Sequence, residues 1–237
     1  MPRCCLVCGR QLGVREQHLC TYCAADLPLT YYWEQAHNPM ADSFNAVLER
    51  LRTSPGILSG EPMAYSYATA LLFYHHDNPY SRIPQALKYN GDVAAGRCFA
   101  AQLGGYLATA PQLADVDCVI PVPLHWRRFW RRGYNQAAVI ASELASALGA
   151  PLFPRALRRS RRTRTQTVLD ASGRLSNVLG VFRVRRSFAE RMAPRHILLV
   201  DDTYTTGATL AACYAAIREA LGPGPRISVA TLSVVQD

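Results

Sequence analysis

The chain has 237 residues, 49% of them apolar, so it can bury a full α/β core plus a small accessory module and is not a disordered chain. No apolar run nears the ~20 residues of a membrane span, and Met1-Pro2-Arg3-Cys4-Cys5 opens no apolar secretory segment, so a cytoplasmic protein without a membrane partner is expected. The net charge of +9 is carried by arginine, most of it between Arg127 and Arg195, which points to an anionic ligand, a small diphosphate or nucleic acid, or else to a solvated basic face.

Cys5-x-x-Cys8 and Cys20-x-x-Cys23 form two knuckles separated by eleven residues. Each pair can place two thiolates on one metal, and four thiolates close a tetrahedron around zinc. In a reducing compartment metal binding is favoured over disulfides. Four cysteine ligands leave no open position, so the metal is expected to be structural and to supply much of the module's folding free energy. Cys4 is adjacent and could replace Cys5, though the spacing favours Cys5. Cys98, Cys118 and Cys213 lie in apolar patterns and read as core residues.

From Phe44 to Leu51 the apolar spacing predicts a short helix, ended by Pro55-Gly56. Ala64 to His75 reads as a strand, and His75-His76 point to opposite faces of it rather than to a shared metal. Pro79 to Tyr89 reads as a helix with Ile83 and Leu87 on one face, and Phe99 to Leu107 as another. Lys88, the only lysine, suits a point-charge contact with phosphate or answers its helix's C-terminal dipole.

Cys118-Val119-Ile120 reads as a buried strand running into Pro121-Val122-Pro123-Leu124. Trp126, Phe129 and Trp130 recur at helical spacing, which favours packing against the body; interleaved with arginine, they are also what a single-strand nucleic-acid platform looks like. A helix then carries Ile140, Leu144 and Leu148 in register and ends at Gly149. Arg158 to Thr167 has few apolar residues and is expected to be a mobile loop, with a short strand at Val181 to Val184 after it.

The stretch from Ile197 to Leu210 is the most informative. Ile197 to Val200 reads as a strand buried on both faces, with Asp201 and Asp202 at its carboxyl end. Thr205, Thr206, Gly207, Ala208 and Thr209 then form a small-residue turn into a helix bearing Leu210, Tyr214, Ile217 and Leu221. Such a turn gathers backbone N–H groups for an anion. The aspartates repel phosphate but suit sugar hydroxyls or a metal ion, and buried they require compensating partners. A ribose 5-phosphate group has that two-ended shape. If the strands at Ile120 and Val200 are neighbours, their arginine-bearing and aspartate-bearing loops face one another beyond the sheet's carboxyl ends. No Walker-type element and no Gly-x-Gly-x-x-Gly is present, so ATP and NAD have no support.

The Asp-Asp-Thr/Gly stretch resembles the phosphoribosyl-pyrophosphate-binding signature of type I phosphoribosyltransferases. In order along the chain, the four cysteines, Lys88-Tyr89, Pro121-Val122-Pro123, Arg132-Gly133-Tyr134-Asn135-Gln136, the Thr163/Gln166/Arg174/Asn177 pattern and the Asp201-Asp202 loop resemble the ComF, or GntX-like, family. The resemblance implies a Rossmann-like type I phosphoribosyltransferase fold with a parallel-sheet core, preceded by the four-cysteine zinc module. It implies that Asp201 and Asp202 hold the ribose hydroxyls, that Thr205 to Thr209 cradle the 5′-phosphate, and that Pro121 to Pro123 mark the pyrophosphate loop, with Lys88 on phosphate and Arg132 stabilising the leaving group. Magnesium would accompany the diphosphate, with zinc in the cysteine module. Either the chain transfers a phosphoribosyl group to a nitrogen nucleophile, or it is a non-catalytic sensor that contacts single-stranded DNA or a helicase partner. The expected layout is a zinc knuckle over 1–30, a connecting region over 31–112 and the phosphoribosyltransferase domain over 113–237. Two acidic side chains locked in internal ion pairs, above a turn filled by protein, would remove the basis for this reading.

Overall fold

A computed structural model describes residues 3–53, 64–89, 91–159, 180–190 and 192–236. After α1 (Thr21–Ala25) and α2 (Pro39–Thr53) comes β1 (Ala68–Tyr74), then α3 (Arg82–Tyr89) and α4 (Val93–Leu107). Next are β2 (Cys118–Pro121), α5 (Trp126–Arg132), α6 (Gln136–Leu148), β3 (Leu157–Arg159) and β4 (Phe182–Val184). The described chain ends with α7 (Arg186–Ala189), β5 (His196–Tyr204), α8 (Ala208–Leu221) and β6 (Arg226–Val235).

Four strands form a parallel sheet in the order β1-β6-β5-β2, and β3 and β4 form a separate antiparallel ribbon. The expected neighbours are adjacent: Ile120 of β2 pairs with Leu199 of β5. Alternate residues of β5 bury into opposite layers, Ile197 and Leu199 with α2, α8 and the ribbon, Leu198 and Val200 with α3, α4 and α6. Apolar cover on both faces is why its core residues read as a continuous hydrophobic run.

The helix expected over Phe44 to Leu51 runs further, and the strand expected over Ala64 to His75 is shorter. The helix from Pro79 begins with a 3₁₀ turn over Pro79–Ser81. β5 extends through Asp201 and Asp202 to Tyr204, so the aspartates lie within the strand, held by pairing with β6. Two burial expectations fail. Cys98 is exposed, because α4 turns it away from the packed face that carries Phe99 and Leu103. Trp126, Phe129 and Trp130 are 60%, 48% and 81% exposed rather than packed; periodicity defines a stripe without saying whether anything covers it. The Thr163, Gln166, Arg174 and Asn177 pattern and most of the arginine-rich loop lie outside the described residues. No helix among the described residues is long and apolar enough to cross a membrane.

The N-terminal segment packs onto this body. Cys5, Val7, Leu12, Cys20 and Cys23 share one apolar cluster with Leu71 and Leu72 of β1, Leu87 of α3 and Phe99 of α4.

Candidate functional site

A cavity of about 270 Å³ opens at the carboxyl ends of β2 and β5. Asp201, Asp202, Thr205, Thr209, Arg132 and Lys88 line it, with Val122 and Pro123. A smaller hollow of about 40 Å³ adjoins it, walled by Thr205, Thr206, Gly207, Ala208 and Thr209. Pro121 is the exception among the expected residues: it is the buried last residue of β2, one position before the lining begins. The cavity thus lies where ligands of open parallel sheets are held, beyond the strand carboxyl ends.

The threonine turn is shaped from below. Gly207 adopts φ +70°, and a Cβ there would meet Tyr204 Oη at 2.7 Å, so no other residue fits without displacing the ring. Tyr204 is buried and donates to Ser43 Oγ at 3.0 Å, which fixes the prop. The turn leads into α8, a fourteen-residue helix whose N-terminus faces the hollow.

The acid pair is asymmetric. Burial, reinforced by the charge of Asp202, pushes the Asp201 carboxyl up to about 8, with Lys88 and Arg159 opposing the rise. Asp202 pairs with Lys88, whose Nζ lies 3.3 Å from Asp202 Oδ1 and donates to Thr203 Oγ1 at 2.8 Å. One acid is therefore engaged internally, but the turn beside it is open, so the two conditions that together would remove the sugar-phosphate reading are not both met. An ion pair one-fifth exposed is within reach of an entering anion, which Lys88 can follow.

The loop after β2 is tied to its neighbours through the Arg132–Gln136 segment. Val122 N donates to Val200 O at 2.8 Å, and Asn135 Nδ2 donates to Val122 O at 2.9 Å. Asn135 also caps α6, accepting from Ala137 N. Tyr134 Oη donates to Leu87 O, next to Lys88. Arg132 donates to Gln136 Oε1 at 3.0 Å, and Gln136 is a buried residue of the cavity wall.

Thr203, Asn135, Gln136 and Arg159 border the cavity and were not singled out from sequence as site residues. Thr203 sits beside the acid pair and Asn135-Gln136 within a motif, so a signal existed. Arg159 comes from β3 and has no local feature separating it from its many arginine neighbours.

The second candidate site is the cysteine cluster. The sulfur atoms of Cys5, Cys8, Cys20 and Cys23 all lie within 4.8 Å of one another, and Cys8 Sγ is 3.7 Å from Cys20 Sγ. A tetrahedral zinc with Zn–S bonds of ~2.3 Å sets its sulfurs ~3.8 Å apart. The four cysteines therefore fit a metal such as zinc, and exposed Cys4 is outside the set. The backbone N–H of Cys23 leads the interactions that hold the Cys20 thiol down to about 6, favouring the thiolate a metal needs.

A third constellation looks catalytic and is not. His196 Nδ1 lies 2.8 Å from Asp115 Oδ1, and His196 Nε2 lies 2.8 Å from Ser228 Oγ. His196 and Ser228 are 0% and 1% exposed at the amino ends of β5 and β6, so no substrate reaches the hydroxyl. The network locks the start of the sheet.

No protein-family model matches the chain. Over 210 residues, 86% of its length, the chain is 30% identical to competence protein F of Haemophilus influenzae, covering 80% of that protein. A 95-residue stretch is 38% identical to DNA utilization protein YhgH of Escherichia coli and spans 40% of each chain. Competence protein ComFC of Bacillus subtilis is 31% identical over 119 residues, 50% of this chain and 44% of ComFC.

Proposed function

The chain belongs to the ComF family of competence proteins, and from that premise we propose that it binds phosphoribosyl pyrophosphate in the cavity above β2 and β5 and transfers the phosphoribosyl group to a nitrogen nucleophile. The observation that carries this reading is one cavity with two chemistries: a threonine turn at a helix N-terminus beside two carboxylates, faced by Arg132 and Lys88. The domain holding it would then be a type I phosphoribosyltransferase fold.

In this reading the turn amides and the hydroxyls of Thr205 and Thr209 take the 5′-phosphate. Asp201 and Asp202 accept from the ribose hydroxyls. Arg132 and Lys88 receive the diphosphate beside the loop wall formed by Val122 and Pro123, and its departure leaves positive charge on the anomeric carbon. Asp201 and Asp202 are the carboxylates near which Mg²⁺ would sit; when bound, it screens the diphosphate charge. Zinc at Cys5, Cys8, Cys20 and Cys23 is structural.

Calorimetric titration with phosphoribosyl pyrophosphate and Mg²⁺ tests the reading. Saturable heat that falls sharply in Asp202→Asn is expected; no heat with the folded wild type overturns it. Diphosphate release across a panel of bases and amines then reports transfer.

A second role is favoured by the exposed face of α5. Trp126, Phe129 and Trp130 stand in solvent beside Arg127 and Arg131, and α5 ends at Arg132, which lines the cavity. Stacking faces between cations suit single-stranded DNA, in keeping with relatives named for competence and DNA utilization. Tryptophan quenching by a single-stranded oligonucleotide, weakening steeply with salt, is the expected result; salt-independent binding would rule out a phosphate-driven contact.

A further inference from the structure

We propose that α3 couples metal occupancy of the four-cysteine cluster to the placement of Lys88 in the cavity. Both ends of this eight-residue helix are anchored, and to different sites.

At its start, Arg82 Nη1 donates to Val7 O at 2.9 Å, and Val7 lies between the ligand pair Cys5 and Cys8. One turn earlier, Tyr80 Oη donates to the carbonyl of Cys23 at 3.3 Å and to Asp26 Oδ2 at 3.1 Å. The helix entry is thus tied to both knuckles. At its end, Leu87 O accepts from Tyr134, and the next residue, Lys88, reaches Asp202 and Thr203. Six residues of helix rise ~9 Å, so one rigid element spans from the cluster's backbone to the cavity.

The helix has little room to move by itself. Ile83, Ala86 and Leu87 are each 1% exposed. Gly96 of α4 lets Leu87 approach so closely that a Cβ there would meet Leu87 Cδ1 at 2.5 Å. Displacement of α3 at the cluster end is therefore passed along the helix rather than absorbed by loose packing.

The metal fixes the backbone of its ligands, and the carbonyls of Val7 and Cys23 are part of that backbone. Without it the four thiols no longer define one geometry. The anchors of Arg82 and Tyr80 then lose their fixed targets, and Lys88 its place beside Asp202. The cavity would bind phosphoribosyl pyrophosphate tightly only with the metal in place, making ligand binding sensitive to thiol oxidation or metal supply. This last step rests on the reading of the cavity proposed above; the movement of Lys88 does not.

Because the chain has one lysine, reductive ¹³C-methylation labels only the Lys88 amine and the amino terminus, which serves as internal control. In the metal-loaded protein the Lys88 resonance should respond to Asp202→Asn, establishing that it reports the ion pair. Chelation should shift it toward the solvated position. A Tyr80→Phe/Arg82→Ala double variant, retaining its metal, should shift it the same way and bind phosphoribosyl pyrophosphate about tenfold more weakly. A Lys88 resonance unmoved in the folded double variant overturns the coupling, even if chelation unfolds the wild type. A resonance that moves in a protein that never binds phosphoribosyl pyrophosphate keeps the coupling and overturns the reading of the cavity.

Discussion

The two ends of the parallel sheet use similar groups in opposite ways. At the amino end, Asp115, His196, Arg226 and Ser228 close on one another, and the imidazole is wholly buried. At the carboxyl end, Asp201, Asp202 and Lys88 line an open cavity, and Asp201 is held well above the usual carboxylate range. One network is satisfied by the protein and stabilises it. The other turns its acids and amine toward open space that a ligand can enter, with one acid strongly perturbed, which is how binding sites differ from structural clusters of the same composition.

Breaking the amino end should give the largest change in stability. His196→Ala leaves a cavity and strands the Ser228 hydroxyl, so denaturant unfolding should report a loss of about 3 kcal/mol. Ligand affinity of the folded variant should be unchanged. Burial lowers the His196 pKa, so its contribution is present above the unfolded value of ~6.5 and is lost as pH falls through the lower folded value. The wild type should therefore weaken in mild acid with a slope that the variant lacks.

At the carboxyl end, Asp202→Asn should lower affinity for phosphoribosyl pyrophosphate by roughly 30-fold, about 2 kcal/mol, while costing little stability. Comparable destabilisation of the folded protein would show that the Lys88 pair is structural and erase the contrast.

Asp201→Asn sharpens the comparison, because it should stabilise the empty protein while impairing binding. The folded pKa of about 8 exceeds the unfolded 3.8, so the neutral acid's contribution is present below pH 3.8 and is lost as pH rises through 8. The asparagine does not ionise and should raise stability at pH 8 relative to the wild type. Thermal melts from pH 5 to pH 8 test this: parallel curves for the two proteins would contradict a neutral Asp201.

The smallest effect belongs to the rim. Trp130→Ala on α5 removes an exposed ring and should leave stability and phosphoribosyl pyrophosphate affinity intact. Single-strand affinity should fall by about 1 kcal/mol, several-fold, if the ring stacks on a base. Unchanged DNA quenching amplitude and affinity would return α5 to an ordinary solvated face.

Much of the site was legible because its parts are contiguous. The turn Thr205 to Thr209 follows Asp201-Asp202 directly, and the knuckles announce themselves by spacing. The sequence marks Lys88 as a phosphate contact but not its partners, because Asp202 and Thr203 lie more than a hundred residues away. Arg159 was invisible among its neighbours until the β3–β4 ribbon placed it at the cavity. The aromatic stripe of α5 has the spacing of a packed face yet stands exposed, because helical spacing looks the same whether or not a second surface covers it.

By itself the sequence determined the mixed α/β character, the four-cysteine cluster and the local shape of the threonine turn. Each depends on residues within a few positions of one another, through backbone periodicity, metal-ligand spacing or glycine's access to positive φ. Only the tertiary structure decided which basic groups meet the two aspartates, which end of the sheet is sealed, and that α3 runs from the cysteine cluster to the cavity. Those contacts depend on how the layers close around the sheet, and burial, which sets both the Asp201 pKa and the silence of His196, exists only once they have closed.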